Sequence, residues 1–78
     1  MKYYFTYGGE GTNQPFVGGW TVVNANSYTE AIDKFNAVHP TTKDGFINCA
    51  FVYDENEFKA TKMYTNGNFG KFEQEVIV

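Results

Sequence analysis

Cys49 and His39 are the one cysteine and the one histidine in this chain of 78 residues. A thiol with an imidazole base could act as a nucleophile. A reactive thiol needs a lowered pKa and access to solvent, whereas Cys49 lies inside the apolar stretch 46–53. His39 precedes Pro40 at the end of a predicted helix, where a cation would interact favourably with the helix dipole. We therefore expect a buried cysteine and a structural histidine.

The acidic residues could in principle supply a pair of carboxylates for acid and base catalysis. Glu73 and Glu75 lie two residues apart on a predicted terminal strand, where acids usually form a solvated face and protect an edge. Asp54, Glu55 and Glu57 precede an apolar helical pattern and suit the start of a helix. Acid and base catalysis requires two groups whose pKa values differ, and neither set has a recognisable partner that would produce such a difference. We predict that the protein is not an enzyme.

The stretch 7–20, YGGEGTNQPFVGGW, contains five glycines and could be a phosphate-binding loop. Such loops lead into a helix and, in the Walker form, end in a lysine and a hydroxyl residue. Here the last glycines precede Trp20 and a predicted strand. The stretch therefore reads as a hairpin connection that uses glycine for its backbone shape.

The charge balance disfavours several classes of partner. Six lysines, no arginine and nine acidic residues give a net charge of −3, which argues against binding of nucleic acid. Lys59, Lys62 and Lys71 near Tyr64 and Phe69 form only a weak basic and aromatic mixture. One cysteine and one histidine cannot make a disulfide or a closed zinc site, so we expect no metal and no cofactor.

No stretch approaches the roughly 20 apolar residues that cross a bilayer. The start, MKYYFTYGG, lacks the apolar segment of a signal peptide. These features predict a cytoplasmic protein that does not bind a membrane.

Hydrophobic periodicity predicts the elements that would position these residues. Residues 2–7 and 20–25 alternate like strands, and the capping box Ser27 to Glu30 opens a helix over 28–39 with one apolar stripe. Residues 46–53 predict a central strand, and Asp54 with Glu57 predicts a short helix to about residue 62. Asn66-Gly67 suits a tight turn, and residues 71–78 predict a last strand.

The predicted fold is a single α+β domain, residues 1–78, with strand and helix order β-β-α-β-short α-β. We expect a small, mostly antiparallel four-stranded sheet with one main helix packed on one face. The chain has eight Phe, six Tyr, one Trp and no Leu, so aromatic rings must form most of the core. The face away from the main helix is expected to keep an apolar, tyrosine-rich patch.

The strings MKYYFTYG, PFVGGWT, HP, GFINC and FKATKMYTNGNFG resemble a group of short, uncharacterised bacterial proteins frequent in gut bacteria, their phages and other mobile elements. The resemblance spans nearly the whole chain and implies no activity, cofactor or catalytic residue. It suggests a context in which small acidic proteins often inhibit host proteins, anti-CRISPR proteins among them.

These observations favour a non-catalytic protein-binding module, a mobile-element inhibitor of a host defence or nucleic-acid enzyme, with a host or phage protein as its partner. Excess tyrosine and acidic charge both suit an interface. The expected contact residues are Tyr7, Glu10, Phe16, Trp20, Asp54, Glu55 and Glu57. One alternative is a homodimer that binds a nucleotide or another flat ligand stacked on Trp20 or Tyr7; another is a housekeeping protein.

Overall fold

A computed structural model describes residues 1–66 and 72–78, without the side chain of Asn66. In these residues four strands form one sheet in the order β3-β1-β2-β4. Strand β1 is antiparallel to β2 and to β3, while β4 is parallel to β2. The elements in chain order are β1 (Lys2–Thr6), β2 (Trp20–Asn24), α1 (Tyr28–Val38), β3 (Phe51–Asp54), α2 (Glu55–Thr61), α3 (Met63–Asn66) and β4 (Glu73–Ile77). This confirms the predicted α+β class and a mostly antiparallel sheet, and adds α3 and one parallel pair.

Helix α1 forms where the capping box predicts it. The Ser27 hydroxyl accepts a hydrogen bond from the Glu30 amide at 3.1 Å, which satisfies one of the free donors of the first turn. At the other end, His39 caps the helix through its amide, bonded to the Phe35 carbonyl at 2.7 Å. The apolar stripe of α1 buries Ala31 and Phe35 completely against the sheet.

Helix α1 packs on one face of the sheet, as predicted, and α2 covers part of the other face. The rings of Tyr3, Phe5 and Tyr7 join the core beneath α1, with Phe5 stacked on Phe35 at 4.4 Å. Tyr4 points the other way, because side chains alternate along a strand. It stacks at 4.0 Å on Phe58 of α2. The short helix therefore covers part of Tyr4, which is half-buried, while Phe51 on the same face stays 65% exposed.

Strand β3 is shorter than predicted, because residues 46–50 are not part of it. The register pairs Thr6, the last residue of β1, with Phe51. In the described residues, the strand pairing of β3 with β1 does not continue before Phe51. One backbone hydrogen bond is still made there, from the Ala50 amide to the Thr6 carbonyl at 2.7 Å. Phe46 closes a turn with Thr42 and is 71% exposed. The apolar run 46–53 is thus a connection followed by a four-residue edge strand.

The second capping box also forms, and α2 begins where it predicts. The Glu57 amide donates to Asp54 Oδ1 at 2.7 Å, and the Asp54 amide donates to Glu57 Oε1 at 3.0 Å. The helix stops at Lys62, whose φ of 63° is left-handed. The predicted Asn66-Gly67 turn, and Lys71 at the start of the predicted last strand, lie outside the described residues. Strand β4 itself runs from Glu73 to Ile77.

Candidate functional site

The glycine-rich stretch is a loop that joins two antiparallel strands, as its sequence predicts. Its ends extend the hairpin through bonds from the Tyr7 amide to the Gly19 carbonyl (3.2 Å) and from the Gly18 amide to the Gly8 carbonyl (2.8 Å). Gly19 has a φ of +69°, and a Cβ there would collide with the Phe72 carbonyl oxygen at the start of β4. Glycine at this position serves the close approach of two backbone segments.

A cavity of about 330 Å³ lies where this loop leaves β1 and passes close to β3. Register explains why it forms there. Phe51 and Tyr53 stand opposite Thr6 and Tyr4 across the β1–β3 pair and so share the α2 side of the sheet. The cavity is lined by Thr6, Tyr7, Gly8, Gly9, Ala50, Phe51, Tyr53 and Met63, most of which contribute apolar surface.

Aromatic side chains on the α2 side of the sheet remain in contact with solvent. Phe51 is 65% exposed, and its ring lies 6.1 Å from that of Tyr53. Tyr64 of α3 is 51% exposed, with its ring 6.5 Å from Phe58. We name the lining side chains of Phe51, Tyr53 and Met63, together with the backbone of Gly8 and Gly9, the cavity surface.

Two of the contact residues expected from the sequence are buried. Tyr7 is 1% exposed beneath α1, and Trp20 is 5% exposed between Phe58 and Phe72 on the other side of the sheet. These rings fill the two cores because no leucine is present to do so. The two rings are therefore buried in the single chain, although Tyr7 is one of the residues that line the cavity.

The other five expected contact residues do not form one surface. Phe16 is half-buried and holds the loop down through ring-edge contacts with Tyr7 (5.5 Å) and His39 (6.2 Å) on the α1 side. Glu10 is exposed in a turn of the loop. The three remaining acids, Asp54, Glu55 and Glu57, belong to the start of α2 on the opposite side of the sheet.

Those three acids already have partners within the chain. Asp54 and Glu57 form the capping box, and Glu55 forms an ion pair with Lys59 at 3.6 Å. Their carboxylates nevertheless remain at least partly exposed, and they directly follow the edge strand that borders the cavity.

A polar network that the sequence reading missed joins four elements on the α1 side. The Tyr7 hydroxyl lies 2.5 Å from Thr21 Oγ1, Thr21 donates to Glu75 Oε1 at 3.1 Å, and His39 Nε2 lies 2.6 Å from the same carboxylate oxygen. Since Thr21 has one proton, which goes to Glu75, Tyr7 must be the donor to Thr21. The network ties the last strand to the centre of the sheet and to the end of α1.

This network overturns the interpretation of Glu75 as part of a solvated face without partners. Its side chain is 25% exposed and that of His39 is 17% exposed, whereas Glu73 is exposed as expected. The alternation of side chains along the last strand could have indicated this environment. Glu75 lies on the same face of the strand as Ile77, an apolar residue that packs against the α1 core. A carboxylate beside a partly buried isoleucine loses water and needs hydrogen-bond donors.

The buried nucleophile candidates are held in their protonated forms. Burial raises the pKa of the Cys49 thiol from about 9 to about 11, and Cys49 is 8% exposed in the α1 core, as the sequence predicts. Burial also raises the pKa of Tyr7, and the nearby Glu75 carboxylate raises it further. A neutral thiol and a neutral phenol are poor nucleophiles at neutral pH.

In the part of the chain that the structure describes, His, Cys, Asp and Glu side chains nowhere gather in a group of three or more that could hold a metal ion. Within the same residues, none of the helices has the length and apolar character needed to cross a membrane.

Comparison of the chain with protein-family models, curated proteins and solved structures finds no match.

Proposed function

We propose that this chain is a non-catalytic protein-binding domain that contacts its partner through the cavity surface. The observation that carries the proposal is the cavity of about 330 Å³ bordered by Phe51, which is 65% exposed at a sheet edge. Aromatic side chains beside a concave apolar surface are typical anchors of protein interfaces.

The charge of the chain supports a partner with a basic surface. The net charge is −3, and opposite charges across an interface accelerate association and favour the correct partner. Enzymes that act on nucleic acids present such basic surfaces. Together with the resemblance to proteins frequent in phages, this leads us to propose an inhibitor of a host defence or nucleic-acid enzyme.

Two exposed phenylalanines provide a matched test. Phe51→Ser removes an aromatic side chain that lines the cavity, whereas Phe46→Ser removes one that is 71% exposed and does not line it. Affinity purification from the native host at low salt, followed by titration of the recovered partner, should show binding to Phe46→Ser at the original affinity. Phe51→Ser should bind about 30-fold more weakly, as expected for loss of an interface anchor worth about 2 kcal/mol. Equal binding by both variants would exclude the cavity surface.

A second candidate function is the binding of a small ligand in the same cavity. Its volume of about 330 Å³ lies at the lower end of the range of roughly 300 to 1,000 Å³ found for ligand pockets. Stacking on Trp20 is not the mode, since that ring is buried against Phe58. Titration with nucleotides and flat metabolites, followed by the NMR shifts of the Gly8 and Gly9 amides, tests this function; unchanged shifts would count against it.

A further inference from the structure

We propose that the cavity surface receives an extended segment of a basic protein, which adds as a strand to the free edge of β3 and places an apolar side chain in the cavity. This inference rests on the proposed protein-binding function and specifies the kind of segment that is bound. Three observations support it: the position of β3 at the edge of the described sheet, the cavity beside two of its side chains, and the charge at the end of the strand.

The edge of β3 has only some of the features that prevent strand addition. Within the described residues β3 is the outer strand of the sheet and pairs only with β1. Natural edge strands are protected by short length, charged side chains, proline or a bulge. Strand β3, FVYD, has four residues and ends in Asp54, but it contains no lysine or proline and its register with β1 runs without a shift. The opposite edge strand, β4, carries exposed Glu73 and has a register shift against β2.

The cavity lies where alternate side chains of an added strand would fall. Phe51 and Tyr53 point to the cavity side of β3, while Val52 packs against the α1 core. An added strand would place every second side chain on the cavity side, next to these two rings. Main-chain hydrogen bonds would then provide affinity, and the cavity would select an apolar side chain.

Charge favours a basic partner over a second copy of this chain. Asp54 ends β3, Glu55 and Glu57 follow it, and no basic residue occurs from position 46 to 58. A second copy would bring the same acids and a further net charge of −3 to the contact.

The orientation of the added strand predicts the sequence of the bound segment. Antiparallel pairs outnumber parallel pairs roughly two- to three-fold. In that orientation, the residue opposite Asp54 comes three positions before the residue opposite Phe51, so we expect a lysine or arginine followed at +1 and +3 by apolar side chains.

A synthetic peptide provides the test, with the full chain as receptor. The probe contains lysine, valine, threonine and phenylalanine in that order, flanked by serines. Three controls replace the lysine by glutamate, reverse the sequence, or carry N-methyl groups on the backbone amides that would face β3. NMR titration follows the amides of residues 51–54, and hydrogen exchange follows their protection. We expect the lysine peptide to shift these amides and slow their exchange, with binding at least tenfold weaker for each control.

Several outcomes would overturn the inference. Equal binding by the N-methylated peptide would exclude strand addition, and equal binding by the glutamate peptide would exclude the basic partner. Doubling of the mass by light scattering, together with protection of residues 51–54 in the absence of any peptide, would make a second copy the occupant. If no peptide binds while Phe51→Ser still loses the natural partner, strand addition is excluded and the proposed protein-binding function stands.

Discussion

The two sides of the sheet differ in how completely a helix covers them. On the α1 side, an 11-residue helix buries Phe35 and Ala31 completely, and even the polar side chain of Thr21 is buried with its hydrogen bonds satisfied. On the α2 side, Phe58 is 2% exposed under Trp20 and Tyr4. Phe51, on the same side of the sheet, is left 65% exposed beside a cavity.

Helix length accounts for this difference. At 1.5 Å per residue, the seven residues of α2 extend only about 10 Å. The 11 residues of α1 extend about 16 Å, so α2 can cover less of its face of the sheet. The comparison indicates that the α1 side supplies most of the stability, whereas the incompletely covered side remains available for contact with a partner.

The largest effect is expected from Phe35→Ala on the α1 side. Phe35 is fully buried and stacked on Phe5, and loss of such a ring costs about 3 to 5 kcal/mol of unfolding free energy. Since a domain of this size has only about 4 to 12 kcal/mol in total, the variant should lose a large part of its stability. Urea denaturation followed by circular dichroism measures this, with Phe46→Ala as the exposed control. A loss below about 1 kcal/mol would contradict the importance of the α1 side.

The next effect is a loss of stability at high pH that depends on Cys49. Its pKa rises on folding from about 9 to about 11, so its contribution is complete below pH 9 and is lost as the pH rises through 11. A pKa difference of two units between the folded and unfolded chain corresponds to about 2 to 3 kcal/mol of unfolding free energy. Urea unfolding at pH 7.5 and pH 11 should show a larger decrease in the original chain than in Cys49→Ala, whose other titrating groups are the same. Equal decreases would show that the thiol does not contribute.

A smaller effect is expected from Thr21→Val in the buried network. The substitution removes the donor to Glu75 and leaves the Tyr7 hydroxyl without this acceptor, at a cost of about 1 to 3 kcal/mol. Tyr7→Phe removes the same Tyr7–Thr21 hydrogen bond from the other side. The double variant should therefore be destabilised by less than the sum of the two single variants, measured by urea denaturation. Additivity within about 0.5 kcal/mol would show that the two hydroxyls are not coupled.

The smallest effect on stability should come from Phe51→Ser on the α2 side. Because the side chain is 65% exposed, the free energy of unfolding should change by no more than about 0.5 kcal/mol, as is usual for surface substitutions. Urea denaturation beside Phe46→Ser measures the difference. A loss comparable to that of Phe35→Ala would show that the two sides do not divide stability and binding as proposed.

Local signals in the sequence were sufficient to predict α1, α2 and the fold class, but not α3. Ser27 with Glu30, and Asp54 with Glu57, form the hydrogen bonds that their spacing indicates, because a cap depends only on residues three apart. The start of β3 was not predictable in this way. It depends on where β1 ends, since Phe51 is the residue that pairs with Thr6.

The candidate site was harder to predict, because burial depends on the whole chain. Tyr7 and Trp20 resemble interface residues in type, yet both are needed in cores that contain no leucine. The partners of Glu75 lie 36 and 54 positions away, beyond the reach of any local pattern. The cavity depends on how far α2 and α3 extend over the sheet, which the sequence does not reveal.

The most direct test of the central claim is site-specific photo-crosslinking in the native host. A photoreactive phenylalanine analogue is placed at position 51 in one variant and at position 46 in another, since both positions are exposed and only position 51 lines the cavity. We predict that position 51 crosslinks to one basic protein in stoichiometric yield and that position 46 does not. The same crosslinked product from both positions, or a crosslink from position 46 alone, would contradict the claim that the cavity surface is the contact site.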